Sequence, residues 1–167
     1  GGLKIGADFL KRLKPDAGVW ISNPSWENHR ALFEAAGFKV DTYPYYDERT
    51  HGVRFDAMIE TLSGLPAGSI VVLHACCHNP TGVDLSVDQW RQVVDVVGRH
   101  DLVAFLDMAY QGFGDGIEPD ATALRLFVES GLDFFVASSF SKSFSLYGER
   151  VGALSIVAAD KDEALRV

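Results

Sequence analysis

Short apolar runs alternate along this chain with longer segments of mixed character. Val19-Trp20-Ile21-Ser22, Phe38 to Tyr43, Ile70 to Leu73, Leu102 to Asp107 and Phe134 to Ala137 predict strands. Between them, Glu27 to Ala36, Phe55 to Leu62, Val87 to Arg99 and Asp120 to Ser130 predict helices, and Ala7 to Leu13 reads as the end of another. In the 87–99 segment the apolar residues at 90, 93, 94 and 97 fall on one side of a 3.6-residue period. Gly37 and Gly131 are placed to end helices, and Gly64-Leu65-Pro66-Ala67-Gly68 breaks a third. Tyr43-Pro44-Tyr45-Tyr46-Asp47 opens a connection that runs to Gly52. Helices alternating with buried strands imply an α/β fold of three layers, a mostly parallel sheet with helices on both faces. Val151 to Ala158 is a last strand, reached through Tyr147-Gly148-Glu149-Arg150, too short a link for a helical crossover. That strand is therefore expected to be antiparallel to its neighbour. No internal repeat, low-complexity segment or domain linker interrupts the pattern.

Composition narrows the partners. The 167 residues suffice for one domain with a real core. A net charge of −8 argues against nucleic acid or an anionic membrane as partner. No stretch approaches the roughly 20 apolar residues that span a bilayer, and no secretory signal is visible. Cys76 and Cys77 cannot make a disulfide framework and read as reduced core thiols of a cytoplasmic protein.

Candidate chemistry gathers at strand ends. Lys142 follows the Phe134 to Ala137 run, and an amine held there, partly out of water, suits Schiff-base chemistry. Ser139, Ser141 and Arg150 could hold a phosphate, two hydroxyls as neutral donors and a guanidinium as a bidentate partner. Asp107 ends the run from Leu102, where an acid points into the crevice that binds ligands in open α/β sheets. A buried carboxylate there can keep a pyridinium nitrogen protonated, and Tyr110, three residues on, could donate its phenol to a ring oxygen. The bland alternative for Asp107 is a helix cap. Asn79-Pro80-Thr81-Gly82 is turn chemistry, in which Pro80 fixes φ, Gly82 permits a positive φ and Asn79 projects an amide donor.

Asn79-Pro80-Thr81-Gly82, Asp107-x-x-Tyr110, Ser139-x-Ser141-Lys142 and Arg150 resemble, in order and spacing, the class I aminotransferases, pyridoxal-phosphate enzymes of fold type I. Asn23-Pro24-Ser25-Trp26-Glu27-Asn28-His29, Cys76-Cys77-His78 and Ala109-Tyr110-Gln111-Gly112-Phe113 make the chain similar to the aspartate and aromatic-amino-acid branches, with a lean to the aromatic one. The resemblance implies pyridoxal 5'-phosphate as cofactor, Lys142 as Schiff-base lysine and proton shuttle, and Asp107 facing the pyridine nitrogen. It implies Asn79 and Tyr110 at the 3-oxygen, Ser139, Ser141 and Arg150 at the phosphate, Trp26 over the ring face, and His29 supporting Asp107 from behind. It further implies ping-pong transfer between aspartate or an aromatic amino acid and a 2-oxo acid such as 2-oxoglutarate, in a homodimer.

In that family a phosphate loop precedes the first long helix, and the substrate-carboxylate arginines lie further on. The chain, from Gly1-Gly2-Leu3 to Val167, is thus expected to be an internal piece of a longer enzyme, the central part (1–167) of its cofactor-binding large domain, unable to transaminate alone. A lyase or an aminocyclopropane-carboxylate synthase on the same fold is the chemical alternative. Two remoter readings are a Ser-x-x-Lys acyl transferase at Ser139 and Lys142, which needs the motif at a helix start, and a metal module at His74, Cys76, Cys77 and His78. The second is disfavoured, because neighbouring strand residues such as Cys76 and Cys77 should point to opposite faces, and no metal is expected.

Overall fold

The computed structural model describes residues 1–158 and 160–165; Ala159, Arg166 and Val167, which belong to the expected 1–167 unit, lie outside the described residues. A six-stranded sheet forms the middle layer. In chain order its strands are β1 (Gly18–Asn23), β2 (Lys39–Pro44), β5 (Ile70–His74), β6 (Val103–Met108), β7 (Phe134–Ser139) and β8 (Gly152–Val157), and in space they run β2-β1-β5-β6-β7-β8. All neighbours pair in parallel except β7 and β8, which are antiparallel; the link between them, residues 140–151, holds turns and no crossover helix. The 43–52 connection also holds a two-strand ribbon, β3 (Tyr46–Asp47) and β4 (Gly52–Val53), too short to leave a periodic signal in the sequence.

Strand alternation sorts the side chains into two cores. Val71, Leu73, Ala104, Leu106, Phe134 and Val136 face one layer, packed with Met58 and Leu62 of α3 (Phe55–Ser63), Val93 and Val97 of α4 (Val87–Arg99) and Phe127 of α6 (Thr122–Ser130). Ile70, Val72, Phe105, Phe135 and Ala137 face the other, against Leu10 of α1 (Gly2–Leu13) and Phe33 of α2 (Glu27–Ala35). Every interior strand is thus covered on both sides, which is why these runs carry little polar character. Ser86 starts α4 with a capping box, its side chain accepting from Gln89 N while the Gln89 side chain accepts from Ser86 N.

The expected 120–130 helix is two pieces. Ile117–Asp120 forms a single turn, α5, and α6 begins at Thr122. The break follows from Asp120, whose carboxylate is committed to the backbone of the preceding loop rather than to capping a helix. A last short helix, α7, spans Lys161–Ala164. No helix among the described residues is long and apolar enough to cross a membrane.

Candidate active site

The carboxyl ends of β1, β5, β6 and β7 open onto one cavity of about 590 Å³. Sheet order explains the location. From β1 the chain steps outward to β2, then returns to β5 and proceeds the other way, so neighbouring crossovers part at the β1–β5 junction and leave a crevice. Trp26 reaches it from the turn after β1, Asn79 from the turn after β5, Asp107 and Tyr110 from β6 and the loop beyond. Ser139, Ser141 and Lys142 enter from the end of β7, and Arg150 from just before β8. All eight residues expected to contact a ligand therefore line the same cavity, although they are spread along the sequence from position 26 to position 150.

Asp107 shares its strand face with Phe105, which is the α1/α2 side of the sheet. There it meets His29 of α2, fully buried, at 2.8 Å from Nε2 to Oδ2. A carboxylate can only accept, so Nε2 donates, and the His29 Nδ1 is satisfied by the Ser25 hydroxyl at 2.9 Å. Asp107 is 6% exposed, and its second oxygen has no side-chain or backbone partner among the described residues. It caps no helix. A buried carboxylate fixed on one side and open to a cavity on the other is suited to an N–H of a bound ring.

Lys142 lies three residues past β7, in a run of turns rather than at a helix start, so the Ser139-x-x-Lys142 spacing lacks the setting an acyl-transferase serine needs. Its Nζ sits 4.5 Å from the centre of the Tyr110 ring and makes no ion pair among the described residues. Ser139 Oγ accepts from Ser141 N at 3.3 Å, which curls the chain so that both hydroxyls stay at the cavity. Arg150 also borders the cavity, but one guanidinium nitrogen donates to Tyr147 O at 2.8 Å. The Asn79 turn closes as expected: Gly82 has φ +68° and donates its N–H to His78 O at 2.6 Å. Both the Asn23-Pro24 and the Asn79-Pro80 bonds are cis.

Three groups take parts other than those the sequence suggested for them, His74 and His78 as metal ligands and Asp120 as the start of a helix. His74, the last residue of β5, pairs in register with Asp107 and also lines the cavity, with both ring nitrogens buried and unpartnered. Burial, with His29 and His78 beside it, lowers its pKa to about 2, so the ring stays neutral. Its strand-end position, matching that of Asp107, was the available signal. His78 is likewise kept neutral, its pKa lowered to about 4 chiefly by burial and next by His29. The ring stacks on Tyr45 at 3.9 Å and is held by Ser22 and Thr81, each within 2.9 Å, a structural arrangement that leaves no ring nitrogen for a metal.

The cysteine expectation is corrected. The sulfurs of Cys76 and Cys77 do not diverge; with a carboxylate oxygen of Asp120 they lie within 4.8 Å of one another. Strand alternation does not apply, because β5 ends at His74 and Cys77 adopts φ +49°. Burial pushes the Cys76 thiol up, the neighbouring Cys77 and Asp120 adding to it, and the Asp120 oxygens are already taken by backbone amides. The third such group is Asp120 itself, held by loop amides.

Comparison with known proteins places these geometries. The family model described as "Aminotransferase class I and II" matches residues 1–167. An aspartate aminotransferase of Pseudomonas aeruginosa is 70% identical over all 167 residues, and an aromatic-amino-acid aminotransferase of Escherichia coli is 59% identical over the same span. The chain covers 42% of the length of each. Among solved structures, an aromatic-amino-acid aminotransferase from Burkholderia pseudomallei, covalently bound to pyridoxal phosphate, superposes with a TM-score of 0.98 at 67% identity over 99% of this chain and 42% of that one.

Proposed function

The chain belongs to the class I and II aminotransferase family, and from that premise we propose that it is the central part of the large, cofactor-binding domain of a pyridoxal-phosphate transaminase. The reading is that the enzyme moves an amino group between aspartate or an aromatic amino acid and a 2-oxo acid such as 2-oxoglutarate. Relatives of both substrate names match at high identity, which supports both donors. The observation that carries the reading is the convergence of Lys142, Asp107 and Tyr110 on one cavity at the carboxyl ends of parallel strands.

The residues fit the cofactor. Asp107 offers a buried, oriented acceptor for the ring nitrogen, and Lys142 an unpaired amine for the aldehyde. Ser139, Ser141 and Arg150 bring hydroxyls and a cation to the same rim for the phosphate. Bound there, pyridoxal phosphate supplies an aldehyde that exchanges amines and a ring that accepts electron density when the substrate Cα loses its proton. Lys142 would hold the aldehyde and, as a free amine, would carry a proton to and from the substrate Cα as general base and acid. Asp107 would hold a proton on the ring nitrogen, and His29, braced by Ser25, fixes the carboxylate's direction. Asn79 and Tyr110, which line the cavity, would donate to the 3-oxygen, while Trp26, lining it from the start of α2, would keep water off the ring. A homodimer and a cytoplasmic location complete the reading, the latter supported by two unpaired cysteines.

Borohydride reduction of the complete enzyme followed by peptide mapping tests this. The reduced cofactor is expected on Lys142, and Lys142→Ala should lose the label together with nearly all turnover. Label on Lys4, Lys11 or another lysine would refute the assignment.

A further inference from the structure

Tyr110 opens a loop, residues 110–116, that has no helix or strand and exposes Phe113 to 60%. Its backbone is wrapped round one carboxylate. Asp120 Oδ2 accepts from Gly112 N at 2.7 Å and Gly114 N at 3.0 Å, and Oδ1 accepts from Asp115 N at 2.9 Å. Asp120 is 7% exposed. Burial acts to raise its pKa, but the amides of Gly114, Asp115, Gly112 and Gly116 outweigh that and hold the carboxyl below its ordinary value. Gly114 admits the carboxylate only because it has no Cβ: one placed there would lie 2.7 Å from Asp120 Oδ1.

The loop so held ends on the cavity. Phe113 N donates to Tyr110 O at 3.0 Å, the Phe113 ring meets the Tyr110 ring edge-on at 6.3 Å, and Lys142 Nζ lies over the Tyr110 face. Across the loop the Cys77 thiol donates to Tyr110 O at 3.8 Å, tying it to the turn that carries Asn79. A matching carboxylate works on that second turn: Asp84 accepts from Cys77 N at 2.6 Å and His78 N at 2.7 Å. Each of the two residues assigned above to the 3-oxygen is therefore carried on a loop whose amides close on an acid. We propose that Asp120 is a positioning residue, a fixed anion whose cradle of loop amides sets the direction of the Tyr110 phenol, resting on the role given to Tyr110 above. Anions in concave rows of backbone N–H groups are strongly held, so the loop gains rigidity without a packed core of its own.

Asn at 120 is nearly isosteric but presents two N–H donors on one side, where Gly112 N and Gly114 N, or Asp115 N, also donate. The cradle then opens and the phenol loses its direction. The test is the pH midpoint of the bound cofactor's visible absorbance in the complete enzyme, for wild type, Asp120→Asn, Tyr110→Phe and the double variant. Asp120→Asn should move the midpoint in the direction Tyr110→Phe moves it, by about half a pH unit or more, with no further shift in the double variant. In cofactor-free protein the amides of Gly112, Gly114 and Asp115 should exchange at least tenfold faster with deuterium. Gly114→Ala, a change on an exposed loop, pushes the carboxylate from the other side and should give a smaller shift of the same sign. An unmoved midpoint in Asp120→Asn and Gly114→Ala, or an equal shift in the Tyr110→Phe background, overturns the inference while the transaminase reading stands. An unmoved midpoint in Tyr110→Phe overturns both the donor role of Tyr110 and the positioning role of Asp120.

Discussion

Asp107→Asn isolates charge from shape at the centre of the site. The asparagine oxygen can occupy the Oδ2 position and still accept from His29 Nε2, which donates over 2.8 Å in the wild type, so the His29–Ser25 brace survives. The amide nitrogen then faces the cavity as a donor, where the wild type offers a second carboxylate oxygen. Because one neutral hydrogen bond replaces one charge-assisted bond of the same geometry, the stability cost should be about 1 kcal/mol. The cost to chemistry is larger. Two unit charges about 4 Å apart at an effective dielectric near 20 attract by roughly 4 kcal/mol, and Asp107, 6% exposed, is shielded enough for that value to apply. Removing it takes away the same amount of preference for a protonated ring nitrogen, which is roughly a thousandfold in the rate of Cα deprotonation. Stopped-flow measurement of the half-reaction with aspartate, following cofactor absorbance, reads that rate directly, with cofactor occupancy and a urea midpoint as controls. The expectation is full occupancy, a nearly unchanged midpoint and a rate down by about three orders of magnitude. A rate within tenfold of wild type at full occupancy would show that Asp107 serves only to anchor His29.

Two further outcomes follow from burial. Gly6→Ala on α1 places a Cβ 2.6 Å from Phe105 Cζ, and that ring cannot yield, being fully buried against Phe33 and Phe135. Overpacking of roughly 1–3 kcal/mol should outweigh the helix-propensity gain of about 1 kcal/mol; a variant more stable than wild type in urea would refute the packing argument. Acid should destabilise the protein through His74 and His78. Their pKa values lie near 2 and 4 in the folded protein against an ordinary 6.5, so only the unfolded chain takes up their protons as pH drops below 6.5. The stability they contribute is complete above pH 6.5 and is lost toward pH 4, at up to about 2.7 kcal/mol per pH unit for the pair. His78→Asn should flatten that slope in urea titrations between pH 4 and 6.5, and an unchanged slope would contradict it.

What the sequence determined by itself is what short-range sterics and burial determine. Uninterrupted apolar runs specify interior strands, the 90, 93, 94, 97 spacing specifies α4, and the lack of a helical segment before Val151 specifies that β8 turns back on β7. Asn79-Pro80-Thr81-Gly82 closes as its residue types require, with Gly82 at positive φ. Lys142, Asp107 and Tyr110 could be singled out because a strand end in a parallel sheet is a place, and the chemistry of each side chain suits that place. Periodicity blurs at short or interrupted segments, which is why the β3–β4 ribbon and the split between α5 and α6 were not visible.

Tertiary structure alone decided which groups meet. His29 reaches Asp107 across 78 residues because strand order brings α2 over the face from which Asp107 projects. The ring nitrogens of His74 make no hydrogen bond, although strand register brings one of them within 4.8 Å of a His29 nitrogen and an Asp107 oxygen. Cys76 and Cys77 converge because a left-handed backbone at Cys77 cancels the alternation a strand would impose. Asp120 becomes the hub of a loop rather than the first residue of a helix, since three amides in one concavity attract a carboxylate more strongly than a single helix terminus does. A sequence carries the propensity of each residue for its own backbone. The register of distant strands, and hence the neighbours of every buried polar atom, is settled only when the whole sheet closes on its two cores.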